Sequence, residues 1–359
     1  MCKGYLPATY YGDSRHHLIK GEIFMKTAVI GAGTWGTALA ILLTHNNHET
    51  VLWTRSQENA ETMEVSRKHK NLPDAVLPEG LKVTSDMQQA LQDRDMIVLA
   101  VPSIYIRETS KKMSGYIRQG QVIVSVAKGI EADSLKTMTD IIEEEIPQAD
   151  VAVLSGPSHA EEVSRFIPTT IVTGARTEKT ARFIQDTFMC DCFRVYINPD
   201  IKGIEIGGAL KNVVALAAGI ADGLGYGDNS KAALITRGIA EITRLGVKMG
   251  CDIETFQGLS GIGDLIVTCA SMHSRNRRAG ILIGQGKPYK EAMKEVGQVV
   301  EGVYASRAAL QLAEKYNVTM PIVSEINQVL FENKSPEKAV KDLMMRDRRL
   351  ENQGLCFNK

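Results

Sequence analysis

Residues Ala28 to Ala40 read Ala-Val-Ile-Gly-Ala-Gly-Thr-Trp-Gly-Thr-Ala-Leu-Ala, and no other stretch restricts the chain so strongly. A short apolar run ends at Gly31-x-Gly33-x-x-Gly36 and gives way to small and aliphatic residues that suit a closely packed helix. The pattern predicts a strand, a tight turn and a helix. Gly31 permits the turn, Gly33 lets backbone approach a pyrophosphate, and Gly36 lets the helix lie close on the strand, while the first helical amides face the anion. A dinucleotide site is the reading this supports; the competing one is an ordinary strand-to-helix turn with no ligand.

One such unit does not account for 359 residues, and at roughly 150 residues per domain the length suggests two. Lys plus Arg equals Asp plus Glu at 42 each, so no global basic field exists to attract nucleic acid, and any anion site must be local. The six cysteines (Cys2, Cys190, Cys192, Cys251, Cys269, Cys356) lack C-x-x-C spacing, which argues against a disulfide framework and against structural zinc. They read as reduced thiols of a cytoplasmic protein. The longest apolar run, Val213 to Ile220, falls short of the ~20 residues of a membrane span, so no span is expected.

Residues 1–24 carry no apolar signal-peptide core and no clear periodicity, and they read as a poorly ordered extension, with a short ordered arm as the alternative. Beyond the first helix, Thr50 to Trp53 is the expected second strand, and an acidic residue just past its end would bind the ribose hydroxyls of NAD. This chain has Thr54-Arg55 there. A guanidinium at that point suits the 2′-phosphate of NADP, unless Arg55 is a plain surface residue. The continuous apolar runs Met96–Val101, Gln121–Val126 and Val151–Leu154 are those of parallel strands buried on both faces, and they alternate with helical segments. A doubly wound sheet follows. Ligands in such sheets lie beyond the carboxyl ends of the strands, which puts Lys128 and the Ser155–Ser158 loop at the mouth of the crevice.

After Pro199 the composition shifts to helix formers punctuated by glycine, so residues 25–198 are expected to form a dinucleotide-binding Rossmann domain and 199–359 an all-helical domain. The apolar helix expected to begin at Gly207-Gly208 carries Lys211 and Asn212. An unpaired buried ammonium costs several kcal/mol, so Lys211 needs a partner or a cleft, or else snorkels to solvent. Glu205 and Asp264 are the candidate carboxylates that would oppose a fall in its pKa. Ser274-Arg275-Asn276-Arg277 is either a phosphate fork or a helix start with solvated arginines.

Taken in order, Gly31–Ala40, Val101-Pro102-Ser103, Lys128-Gly129, Ser155-Gly-Pro-Ser-His-Ala-Glu-Glu-Val163, Gly207-Gly-Ala-Leu-Lys-Asn212, Gly263-Asp264-Leu265, Ser274-Arg-Asn276 and Val300-Glu301-Gly302 closely resemble the bacterial NAD(P)-dependent glycerol-3-phosphate dehydrogenases. The resemblance runs from Met25 to about Leu343. It implies a Rossmann domain followed by a helical substrate domain, and interconversion of glycerol 3-phosphate with dihydroxyacetone phosphate by NAD or NADP. The product would supply glycerophospholipid synthesis.

By position, the resemblance makes Lys211 the catalytic residue. Gly156, Ser158, Asp264, Ser274 and Asn276 become substrate contacts, and Thr34, Trp35, Arg55, Ala160, Val299 and Glu301 cofactor contacts. Lys128 and Arg275 serve both ligands. No metal is implied, and the oligomeric state stays open, a homodimer included. Asn71-Leu-Pro-Asp74 departs from the Tyr-Leu-Pro-Gly run common in that family, which bears on local loop shape. The alternative is a related two-domain dehydrogenase of a hydroxy acid or sugar acid.

Overall fold

The computed structural model describes residues 25–348, 350 and 351, so the expectation for residues 1–24 lies outside it. Ten strands are β1 (Lys26–Ile30), β2 (Glu49–Trp53), β3 (Lys68–His69), β4 (Leu72–Val76), β5 (Lys82–Thr84), β6 (Met96–Leu99), β7 (Val122–Ser125), β8 (Asp150–Ser155), β9 (Thr169–Ala175) and β10 (Phe193–Ile197). Eight of them form one sheet in the order β10-β9-β8-β7-β6-β1-β2-β5, while β3 and β4 make a separate antiparallel pair. The apolar runs of the sequence are explained by burial on both faces. Val29, Val98 and Val124 pack on one side of the sheet, and Ala28, Ile97 and Ile123 on the other.

From β5 through β8 the strands are parallel, but β9 runs antiparallel to β8, and β10 follows β9. The expected doubly wound, Rossmann-type sheet is present, with a reversal of direction at β9. Between Ser155 and Thr169 the chain forms just the one-turn helix Ala160–Val163, too little to carry a crossover back to the same end of the sheet. The mostly parallel sheet nevertheless reverses winding between β1 and β6, the point where such folds open a crevice.

No strand lies beyond Ile197 among the described residues, and the remainder is helical. Its centre is the helix Ile201–Gly223, buried continuously from Gly203 to Ala221. It begins about a turn and a half before the expected Gly207-Gly208, because the Asp200 carboxylate caps it by accepting from Gly203 N at 2.9 Å. At 23 residues it is long and apolar enough to cross a membrane, contrary to the expectation that nothing here approaches that length. Its apolar window is wholly buried inside the protein, where the helices Asp228–Lys248, Arg275–Gly284 and Glu301–Lys315 surround it. Glu205 and Lys211 interrupt the apolar pattern in sequence and so hide the length of the helix.

Candidate active site

A cleft of ≈ 760 Å³ lies at the carboxyl ends of β1, β2, β6 and β7 and is closed on its far side by the helical elements. Its near wall is the glycine turn. Gly31 has φ +120°, and a Cβ there would stand 2.8 Å from the Ala100 carbonyl carbon, so the position admits no side chain. A Cβ on Gly36 would fall 1.9 Å from the Gly31 carbonyl oxygen, so its close contact is with the turn itself. Gly33 has open space where a side chain would be. It caps the helix Thr34–His45 without a side-chain acceptor, which leaves the first amides directed at the cleft. Trp35 lines the cleft with a buried indole Nε1 that lacks a hydrogen-bond partner among the described residues. Uncapped amides, an open glycine and an orphaned donor together fit a dinucleotide.

Further along that end, Arg55 is exposed, lies 5.8 Å over the Tyr105 ring and lines the cleft beside Ser56 and Asn59. Ala160 and Val299 also line it. Glu301 does too, but its carboxylate is already engaged, accepting from Ser103 N at 3.1 Å and Ser103 Oγ at 2.5 Å. Burial pushes its pKa up, against these hydrogen bonds. The Val-Pro-Ser motif thus ties the sheet to the helical elements.

The deep end is organised by one carboxylate. Asp264 is 1% exposed and receives two ammonium groups, Lys128 Nζ at 2.6 Å on Oδ2 and Lys211 Nζ on Oδ1. Lys211 also donates to Thr268 Oγ1 at 2.7 Å, and Lys128 to the Gly156 carbonyl at 2.9 Å and Ser158 Oγ at 3.4 Å. Burial would raise the Asp264 pKa, but the charges of the two lysines outweigh it and hold the carboxyl below its usual range. For Lys211 burial prevails: its pKa is lowered to about 8, with Asp264 opposing the fall and Lys128 adding to it. Glu205, the other candidate partner, plays no part here. It accepts from Thr139 N at 2.9 Å and Thr139 Oγ1 at 2.5 Å, on the sheet side of the central helix.

Ser274 caps the helix Arg275–Gly284, accepting from Arg277 N at 3.2 Å, so the helix-start reading of this segment holds for Ser274. Arg277 is spent on Asp222 at 2.7 Å and the Ala270 carbonyl at 2.6 Å. Arg275 is different: half-buried on the cleft wall, it has no hydrogen-bond partner among the described residues. Asn276 Nδ2 donates to Asn212 Oδ1 at 2.9 Å while its Oδ1 accepts from Gly302 N at 2.8 Å, so most of its amide is occupied by the protein rather than free to fork onto a phosphate. Every residue singled out from sequence around the cleft therefore lines it or supports its lining. Thr268, His159 and His273 line it as well and were not foreseen as contacts. Thr268 had a usable signal, standing four residues after Asp264 on one helix.

Two family descriptions match. The NAD-dependent glycerol-3-phosphate dehydrogenase N-terminus covers residues 26–181, and the C-terminus of the same family covers residues 200–341. This chain belongs to that family. The protein named glycerol-3-phosphate dehydrogenase [NAD(P)+] from Agathobacter rectalis is 56% identical over 331 residues, 92% of this chain and 98% of the relative. Its counterpart of the same name from Fusobacterium nucleatum is 58% identical over 333 residues, 92% of this chain and 99% of the relative. Among solved structures, glycerol-3-phosphate dehydrogenase from Coxiella burnetii superposes with a TM-score of 0.87 at 36% identity, covering 90% of this chain and 99% of its own.

Proposed function

We propose that this chain interconverts sn-glycerol 3-phosphate and dihydroxyacetone phosphate by hydride transfer with NAD or NADP. The observation that carries the reading is the buried Lys128–Asp264–Lys211 cluster at the deep end of a cleft whose other end is a dinucleotide turn. The cofactor, when bound, supplies or accepts the hydride. The amides after Gly33 hold its pyrophosphate, Thr34, Trp35, Ala160, Val299 and Glu301 line its path, and Arg55 meets a 2′-phosphate when NADP is used. Arg275 and the amides at the start of its helix receive the substrate phosphate, with Lys128, Ser158 and Ser274 beside it. Gly156 has φ +132° and exposes its carbonyl to Lys128, which sets that ammonium against the substrate.

Lys211 gives a proton to the ketone oxygen during reduction and takes it back during oxidation. Asp264 holds the ammonium in place and keeps it protonated at neutral pH despite its burial. Asn212 and Asn276 fix the neighbouring turn by their shared hydrogen bond. The division of labour centres cofactor binding on residues 25–198, joined by Val299 and Glu301, and proton transfer and most substrate contacts on 199–359, joined by Lys128, Gly156 and Ser158. Four described cysteines are free thiols, which supports work in the cytoplasm, where the product would enter glycerophospholipid synthesis.

The test is oxidation of NADH and NADPH, followed at their absorbance band, with dihydroxyacetone phosphate and with a 2-keto acid as competing substrates. Turnover of the phosphate ester alone is expected. Preference for the keto acid would favour the hydroxy-acid alternative.

A further inference from the structure

The antiparallel pair β3–β4 turns at Lys70-Asn71, and His69, Lys70 and Asn71 all line the cofactor end of the cleft. The turn leads into Asn71-Leu-Pro-Asp74, the segment in which the sequence departs from the family's common run. Its base is anchored. Leu72 and Ala75 are buried in the core on one face of the sheet, Leu77 N donates to the Arg67 carbonyl at 2.9 Å, and Arg67 Nη1 donates to the Leu81 carbonyl at 2.6 Å.

The tip is held by one imidazole. His69 is 5% exposed, and both ring nitrogens have backbone partners: Nδ1 lies 3.2 Å from Asn71 N, and Nε2 lies 3.2 Å from the Ala32 carbonyl oxygen. A backbone N–H only donates and a carbonyl only accepts, so Nδ1 carries the lone pair and Nε2 the proton. Burial holds the His69 pKa below the ordinary histidine value; the bond to Ala32 opposes the fall and the Lys70 charge adds to it. The ring is therefore neutral at pH 7 and keeps this tautomer. One nitrogen shapes the turn by accepting from the amide two residues on, as an Asx side chain does. The other ties the turn to the residue between Gly31 and Gly33.

That placement suits an anion. Gly31 to Trp35 supply amides and no charged side chain, and Arg55, further along, lies over the Tyr105 ring. Lys70 is exposed, lines the cleft and has no ion-pair or hydrogen-bond partner among the described residues. Its neighbour's tether fixes its backbone beside the phosphate-binding turn, where a cation complements the two charges of a pyrophosphate. We propose that Lys70 is a cofactor-binding residue whose ammonium meets the pyrophosphate of NAD or NADP, and that His69 is the positioning residue that sets it there. This rests on the dinucleotide reading of the glycine turn and adds the cation that the turn itself lacks. Because the pyrophosphate is common to both cofactors, Lys70 acts on NADH and NADPH alike, whereas Arg55 acts on the 2′-phosphate.

The experiment is a fluorescence titration of the full chain with NADH and with NADPH, at low salt and at about 0.3 M salt. Lys70→Met is expected to weaken both cofactors ~5-fold or more at low salt and by less at high salt, because an exposed ion pair is screened. His69→Phe removes the tether and is expected to weaken both to a similar degree. Adding Lys70→Met to it is expected to cost little more, since an untethered ammonium has already lost its place. His69→Gln, which keeps one donor and one acceptor, is expected to recover part of the loss. Unchanged affinity in Lys70→Met would overturn the assignment, and so would a loss confined to NADPH, which would move Lys70 to the 2′-phosphate. Losses that simply add in the double variant would overturn the role of His69. Lys70 is an exposed turn residue, so its variant decides the pyrophosphate contact even where His69→Phe does not fold. If the unsubstituted chain binds neither cofactor, the dinucleotide reading fails first and the assignment falls with it.

Discussion

Lys211 is subject to two opposed demands, and the balance between them predicts a pH profile. Burial favours the neutral amine and brings the pKa from the usual 10.5 down to about 8, while the Asp264 carboxylate favours the ammonium. Ketone reduction needs the protonated form, so its kcat/KM is expected to be flat below and to fall as pH rises through about 8. Alcohol oxidation needs the neutral form, and its kcat/KM should rise through the same value. Initial rates in both directions from pH 6 to 10 check this, and parallel profiles would contradict it. Much of this was legible in the chain, because a lone lysine in an apolar helix must find a partner or face a cleft. Which partner it finds was not. Glu205 is six positions away and Asp264 fifty-three, yet the distant one meets Lys211, and Glu205 is taken by Thr139.

The central helix and the helix Arg275–Gly284 meet backbone to backbone, and this packing sets the height of Arg275 and Asn276 over the cleft. A Cβ on Gly280 would stand 2.3 Å from the Leu216 carbonyl oxygen, and one on Gly219 would stand 2.1 Å from that of Arg277. Gly280→Ala must push the helices apart, since a carbonyl cannot rotate away as a side-chain tip can. The expected cost is about 1–3 kcal/mol of stability, read from a denaturant melt, with a rise in KM for the phosphate ester. An unchanged midpoint would show that the helices slide without penalty. At this scale the sequence announces strands and helices well, because burial on both faces demands unbroken apolar runs. It conceals strand direction: β9 and β10 look like their predecessors, and their reversal depends on how little helix separates Ser155 from Thr169. The start of the central helix was misread for the converse reason, as Lys202 and Glu205 break its pattern while Asp200 caps it.

In the whole molecule, the sheet and the helical elements each supply one wall of the cleft, and the Ser103–Glu301 tie joins the walls at the cofactor end. The sequence of residues 1–24 has no clear apolar periodicity, and the family match begins at residue 26. A chain beginning at Met25 is therefore expected to keep the melting temperature and kcat/KM of the full chain, and a large loss in either would make the N-terminal residues integral. Because the glycine turn and Lys211 lie at opposite ends of the cleft, cofactor binding and proton transfer are separable by a single substitution at the deep end. Lys211→Met removes the ammonium at similar volume, leaves Asp264 its ion pair with Lys128, and touches nothing on the glycine turn. Cofactor affinity by fluorescence and single-turnover hydride transfer to dihydroxyacetone phosphate are to be measured on the same preparation. The account predicts near-normal cofactor affinity with a chemical step slowed ~10²–10⁴-fold or more, as loss of a general acid requires. A well-folded Lys211→Met protein that transfers hydride at the normal rate would contradict it and shift the proton to Lys128.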